Sequence, residues 1–169
     1  MAADARVMDM SDLKDLEPLS KRLNTASDEL SQTLQTIQDR VNALGIGLEV
    51  WVTDPPLNES EWRDILDRDT EPTGAREFST AELGYSRSGE GWALLVRYRR
   101  HVEGPNEYGT PTLETYDDNM PVIPLLRAAR EIRVAAVKVI PTLIEALEAQ
   151  ARSVIERVEQ AKKIADSLK

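Results

Sequence analysis

A chain of 169 residues with 41% hydrophobic and 30% charged side chains has the composition of a folded domain rather than of a disordered or fibrous protein. It contains no cysteine, which excludes disulfides, thiolate metal sites and a cysteine nucleophile. Its net charge of −9 makes it a poor wrapper of nucleic acid.

One domain is expected at this length. Aromatic residues make up 5%, and Phe78 is the single phenylalanine, so the core has to come mostly from Leu, Ile, Val and Ala. The N-terminus carries Asp4 and Asp9 without an apolar run, unlike a signal peptide. No window reaches the roughly 18 apolar residues of a membrane span, and a cytoplasmic location is expected. The charge is uneven: residues 1–75 carry −9, residues 76–120 carry −3 and residues 121–169 carry +3. An acidic first part and a mildly basic last part can lie together without repulsion.

Residues 1–12 are expected to be disordered. From residue 13 to residue 44 the sequence predicts a helix. Leu16, Leu23, Leu30, Ile37 and Leu44 recur every seven residues, with Leu13, Leu34 and Val41 in the alternate core position; this is a heptad pattern. Ser20 and Ser27 interrupt it. Pro18 is tolerated if it falls in the first turn, and Gly45 is a natural C-terminal stop.

Residues 46–118 are expected to form a β head. Ile46, Leu48, Val50 and Val52 alternate with Gly47, Glu49 and Trp51, which is the period of a strand, and Pro55-Pro56 ends it. Asn58 followed by Glu61 resembles a capping box, and Trp62, Ile65 and Leu66 share a helical face. A short helix near residues 59–67 is therefore expected. Strands follow at about residues 77–86 and 92–102, joined by a Ser- and Gly-rich turn into a β-hairpin. An edge strand through Leu113 and Tyr116 is a further candidate.

The last third, residues 119–168, predicts one long helix of roughly 70 Å, kinked near Pro141, which removes a helical hydrogen bond. Its apolar stripe changes phase there. Leu125, Ala129, Ile132, Ala136, Val139 and Leu143 come before, and the seam of Ile144, Leu147, Ala151, Val154, Val158, Ala161 and Ala165 comes after. The fold class expected is α+β: two long heptad-patterned helices flank a small antiparallel sheet of three or four strands, as a helical hairpin with a β head.

Catalytic chemistry finds little support. The only histidine, His101, reads as a strand-end surface residue, and no nucleophile motif is present. Neither Asp64, Asp67, Asp69 and Glu71 nor Asp117-Asp118-Asn119 follows the order of a calcium loop. No metal, no cofactor and no enzymatic activity are expected. Arg97, Arg99 and Arg100 form the densest cationic patch, readable either as an anion contact or as cross-strand partners of Glu77, Glu82 or Glu49. Arg127, Arg130 and Lys138 read as a solvated helix face on which Val134 is an exception.

The leading expectation is a non-enzymatic protein–protein interaction or assembly protein. Its helix seam would be Leu30, Leu34, Ile37, Val41, Leu147, Val154 and Val158, and its partner another protein or a second copy. Neither membrane nor nucleic acid is expected as a partner. Two alternatives stay open. One is a regulatory module that binds a small phosphorylated ligand or nucleotide through Trp51, Arg97 and Arg99. The other is an acidic inhibitor that mimics nucleic acid through residues 1–75.

Overall fold

The computed structural model describes residues 10–66, 72–89, 91–106, 108–116 and 122–167. In chain order the elements are α1 (Met10–Ala43), β1 (Val50–Val52), β2 (Asn58–Glu59), β3 (Arg63–Leu66), β4 (Pro72–Ser88), β5 (Gly91–Pro105), β6 (Pro111–Tyr116), β7 (Ile123–Pro124), a 3-10 turn (Leu125–Arg127) and α2 (Arg130–Ser167).

The β4–β5 hairpin is the spine, paired in register from Arg76 opposite Glu103 to Ser88 opposite Gly91. Its turn is made possible by Gly89 at φ 60°, a conformation that glycine reaches without steric cost. Along the free edge of β4 lie β1, β2 and β3, end to end and antiparallel to it. Along the free edge of β5 lie β6 and β7 in the same manner. The sheet therefore has seven strands, which corrects the expected three or four. The surplus arises because both outer rows are broken: Pro55 and Pro56 lack the donors to continue β1 into β2.

The short helix expected near residues 59–67 is likewise corrected. Leu57 N donates to Ala81 O at 2.7 Å and Ser60 N donates to Ser79 O at 2.8 Å, while Arg63 and Asp64 pair with Glu77 and Arg76. The edge of β4 takes up the backbone groups a helix would have used. At the other end, α2 begins at Arg130 rather than near residue 119, because Ile123 and Pro124 pair with Val96 and Leu95. Residues 119–121 and 168 of the expected helix lie outside the described residues. Pro141 sits inside α2, which continues to Ser167. Of the segment expected to be disordered, residues 1–9 lie outside the described residues, and residues 10–12 belong to α1.

The two helices pack on one face of the sheet and run parallel. Arg130 near the start of α2 donates to Asn24 Oδ1 at 3.0 Å, Arg133 donates to Ser27 and Ser31, and Ile37, Val41 and Leu44 lie beside Ile144, Leu147 and Ala151. A helical hairpin capped by a β head is thus corrected to two parallel helices lying along a sheet. The segment from Leu125 to Ala129 explains the direction: it carries the chain back along the sheet before α2 begins. Both its Leu125 and its Ala128 are buried there.

The core lies between the layers. Leu83, Tyr85 and Val96 from the sheet meet Leu34 and Val41 of α1 and Ile132, Ala136, Val139, Leu143 and Leu147 of α2. Each of these leucine, isoleucine and valine side chains contributes about 1.5–3 kcal/mol when fully buried. Polar contacts fix α1 along this face: the Tyr85 hydroxyl donates to Asn42 Oδ1 at 2.8 Å, Asn42 Nδ2 donates to Trp92 O at 3.0 Å, and Leu94 N donates to Gln38 Oε1 at 3.0 Å. Burial pushes the Tyr85 phenol above its ordinary pKa, which keeps it a neutral donor.

On the opposite face the Trp51 ring lies directly on Gly84, so close that a Cβ there would stand 2.2 Å from a ring carbon. Gly84→Ala is expected to cost about 1–3 kcal/mol by overpacking, measured by urea denaturation. In a Trp51→Ala background the same change is expected to cost almost nothing, since the ring it strikes is gone.

Candidate functional site

The expected cationic patch does not form one surface. Strand alternation places Arg97 and Arg99 on the face remote from the helices. There Arg97 Nε donates to Glu82 at 2.7 Å, and a guanidinium nitrogen of Arg99 stands 3.9 Å from the same carboxylate. The Arg97 guanidinium also lies 4.3 Å above the Trp51 ring. Arg100 has the opposite parity, donates to Glu77 at 3.3 Å and lies 5.2 Å above the Tyr116 ring. Carboxylates therefore already accompany all three arginines.

Farther along this face, Trp62, Phe78 and His101 stack in series, with centroid spacings of 4.4 and 4.5 Å. The imidazole of His101 stands between two hydroxyls, Nε2 2.9 Å from Thr80 Oγ1 and Nδ1 3.0 Å from Thr115 Oγ1. These contacts cross from β4 through β5 to β6 and bind three strands together, a structural role. Glu49, whose carboxylate accepts from Trp51 Nε1 at 2.7 Å, is held below its ordinary pKa first by that bond and then by Ser86. Among the described residues no group of three or more His, Asp or Glu side chains could hold a metal ion, and no helix is long and apolar enough to cross a membrane.

The helix seam divides into two parts. Leu34, Val41 and Leu147 are buried in the core, and Leu30 and Ile37 pack against it. These five residues hold α1 and α2 to the sheet within one chain. Val154 and Val158, by contrast, are 40% and 48% exposed, on a part of α2 that extends past the end of α1.

Parallel helices placed out of step leave a free length at each end. Since Asn24 stands beside Arg130, the segment of α1 before it projects beyond the start of α2. Since Leu44 stands beside Ala151, the segment of α2 after it projects beyond the end of α1. At 1.5 Å per residue, residues 10–23 give about 21 Å and residues 152–167 about 24 Å. The first carries Leu16, Leu19 and Leu23, each more than half exposed, at a spacing that keeps them on one side of the helix. The second carries Val154, Ile155, Val158 and Ile164, also exposed.

At the root of the second projection, where α1 stops and α2 goes on, lies a cavity of about 580 Å³. Ile37, Val41, Leu44, Ile46, Ile144, Leu147 and Ala151 line it, with Arg40 and Glu148 at its rim. A second groove, of about 540 Å³, runs between Pro55, Pro56 and Leu57 and the first turns of α2. Val134 and Lys138 lie along it. Val134, an apolar exception on a charged helix face, is thus part of a groove wall.

Heptad spacing marked Leu16, Leu23, Val154 and Val158 but could not tell core from surface. Leu23 and Leu30 occupy the same heptad position, yet only the second packs against the core. The stagger of the helices, which decides this, depends on the path of residues 122–129, and no periodicity encodes it. No protein-family model, curated protein or solved structure matches the chain.

Proposed function

We propose that this chain is a non-enzymatic assembly protein whose contacts with another protein chain are made by the projecting ends of α1 and α2. The observation that supports this reading is that Leu16, Leu19 and Leu23 at one end, and Val154, Ile155 and Val158 at the other, stay largely in water on helices that do not lean on the sheet there. A helix of four turns gains little from propensity alone in water and is normally held by burying its apolar side. Contiguous exposed apolar surface of this kind marks a protein contact.

A phosphate- or nucleotide-binding head has less support. Glu82 and Glu77 already neutralise the arginines it would use, so an anion would have to displace carboxylates. The test is Val154→Glu. It is expected to lower the associated mass measured by light scattering while changing the unfolding free energy of the single chain by no more than about 0.5 kcal/mol, as for other exposed positions. Unchanged association in this variant would count against the proposal.

A further inference from the structure

We infer that the occupant of each projecting helix end is the opposite end of a second copy of the same chain, so that copies join head to tail. This rests on the reading of the helix ends as contact surfaces, and it specifies the partner. The two apolar stripes lie at opposite ends of the molecule and cannot cover each other within one chain. In two copies set in line, the α2 end of one runs beside the α1 end of the next.

Three observations favour this pairing over a two-fold one. The first is continuity. Inside the chain, α1 residues Ile37, Val41 and Leu44 already lie beside α2 residues Ile144, Leu147 and Ala151, with the helices parallel. A head-to-tail contact extends that same pairing along α2, starting from the apolar cavity where α1 stops. A two-fold dimer of α2 ends would instead set α2 against α2, a pairing the chain does not use internally.

The second is side-chain size. The α1 stripe is leucine, whereas on α2 the seam that continues from Ala151 is Val154, Val158 and Ala161, with Ile155 and Ile164 beside it. Leucines seated over alanine and valine let two helices approach closely.

The third is length. The free segments, about 21 and 24 Å, match within one helical turn, so each covers the other without leaving a long exposed remainder. Such a contact is heterologous and generates rings if the rotation closes or open chains if it does not. Four turns on four turns is also a contact at the small end of specific interfaces, which bury roughly 1,200–2,000 Å², so association is expected to depend on concentration.

The test uses two full-length variants. Leu16→Glu with Leu23→Glu blocks the α1 stripe, and Val154→Glu with Val158→Glu blocks the α2 stripe. All four positions are exposed, and circular dichroism checks that both variants fold. Each alone is expected to scatter as a single chain of 18.9 kDa. Mixed in equal amounts they are expected to form a complex of twice that mass and no larger, because the remaining end of each is blocked.

A variant blocked on α1 that still dimerises alone, while the one blocked on α2 does not, would overturn the inference in favour of a two-fold α2 pair. So would a mixture that stays at the single-chain mass while the unmodified chain associates. In both cases the assembly reading survives. An unmodified chain that stays single at every concentration would remove that reading and the inference together.

Discussion

Replacing Glu82 by alanine is expected to destabilise the chain by about 3 kcal/mol, at the lower end of the range for breaking a buried ion pair from one side. Glu82 is 2% exposed on the sheet face remote from the helices, and both Arg97 and Arg99 turn toward it. Without the carboxylate, two guanidinium groups that are each largely withdrawn from water would lose the counter-charge that Glu82 supplies. Because each is still about one-fifth exposed, water softens the loss. Glu82→Gln keeps the shape and one acceptor, and is expected to lose about half as much. Urea denaturation of the two variants measures both. A loss below about 1 kcal/mol for the alanine variant would show that the pair is solvated in practice.

The second large effect separates core from contact surface along α1. Leu34→Ala is expected to cost about 3 kcal/mol, since Leu34 is 1% exposed beneath the sheet and a cavity would remain. Leu23→Ala, 53% exposed on the projecting end, is expected to change the stability of the single chain by less than about 0.5 kcal/mol. It should instead weaken association. Denaturation at low concentration reads the first quantity and light scattering the second. Equal stability losses would mean that the projecting end of α1 is covered within the chain.

Much of this architecture was legible in local patterns. The heptads of α1 stopped where Gly45 takes positive φ, one residue past Leu44, and the β4–β5 hairpin turned where Ser and Gly cluster. Local signals failed where a neighbour decided the outcome. Residues 58–66 have the capping and spacing of a helix, but the long free edge of β4 offered them hydrogen bonds and captured them as β2 and β3, a case of tertiary pairing overriding local preference. Pro124 falls within the stretch expected to be helical, yet it closes β7 against Leu95.

The proposed contact surfaces were legible only in part. Val154 and Val158 were visible as heptad residues and do lie on the projecting end, whereas Leu34, Val41 and Leu147 from the same pattern are core. Leu19, outside the heptad series, gave no such signal, and only the stagger of the parallel helices brings it onto a free stripe with Leu16 and Leu23. The arginines were easy to see as a cluster of charge in sequence. Strand alternation then splits them between two faces, and cross-strand carboxylates occupy them, which is the pairing that opposite charges on adjacent strands favour.

The most direct measurement is the mass of the unmodified chain in solution by light scattering across a dilution series. With the projecting helix ends as contact surfaces, the mass is expected to rise with concentration above that of one chain and to return to it on dilution. A mass of 18.9 kDa at every concentration would contradict it.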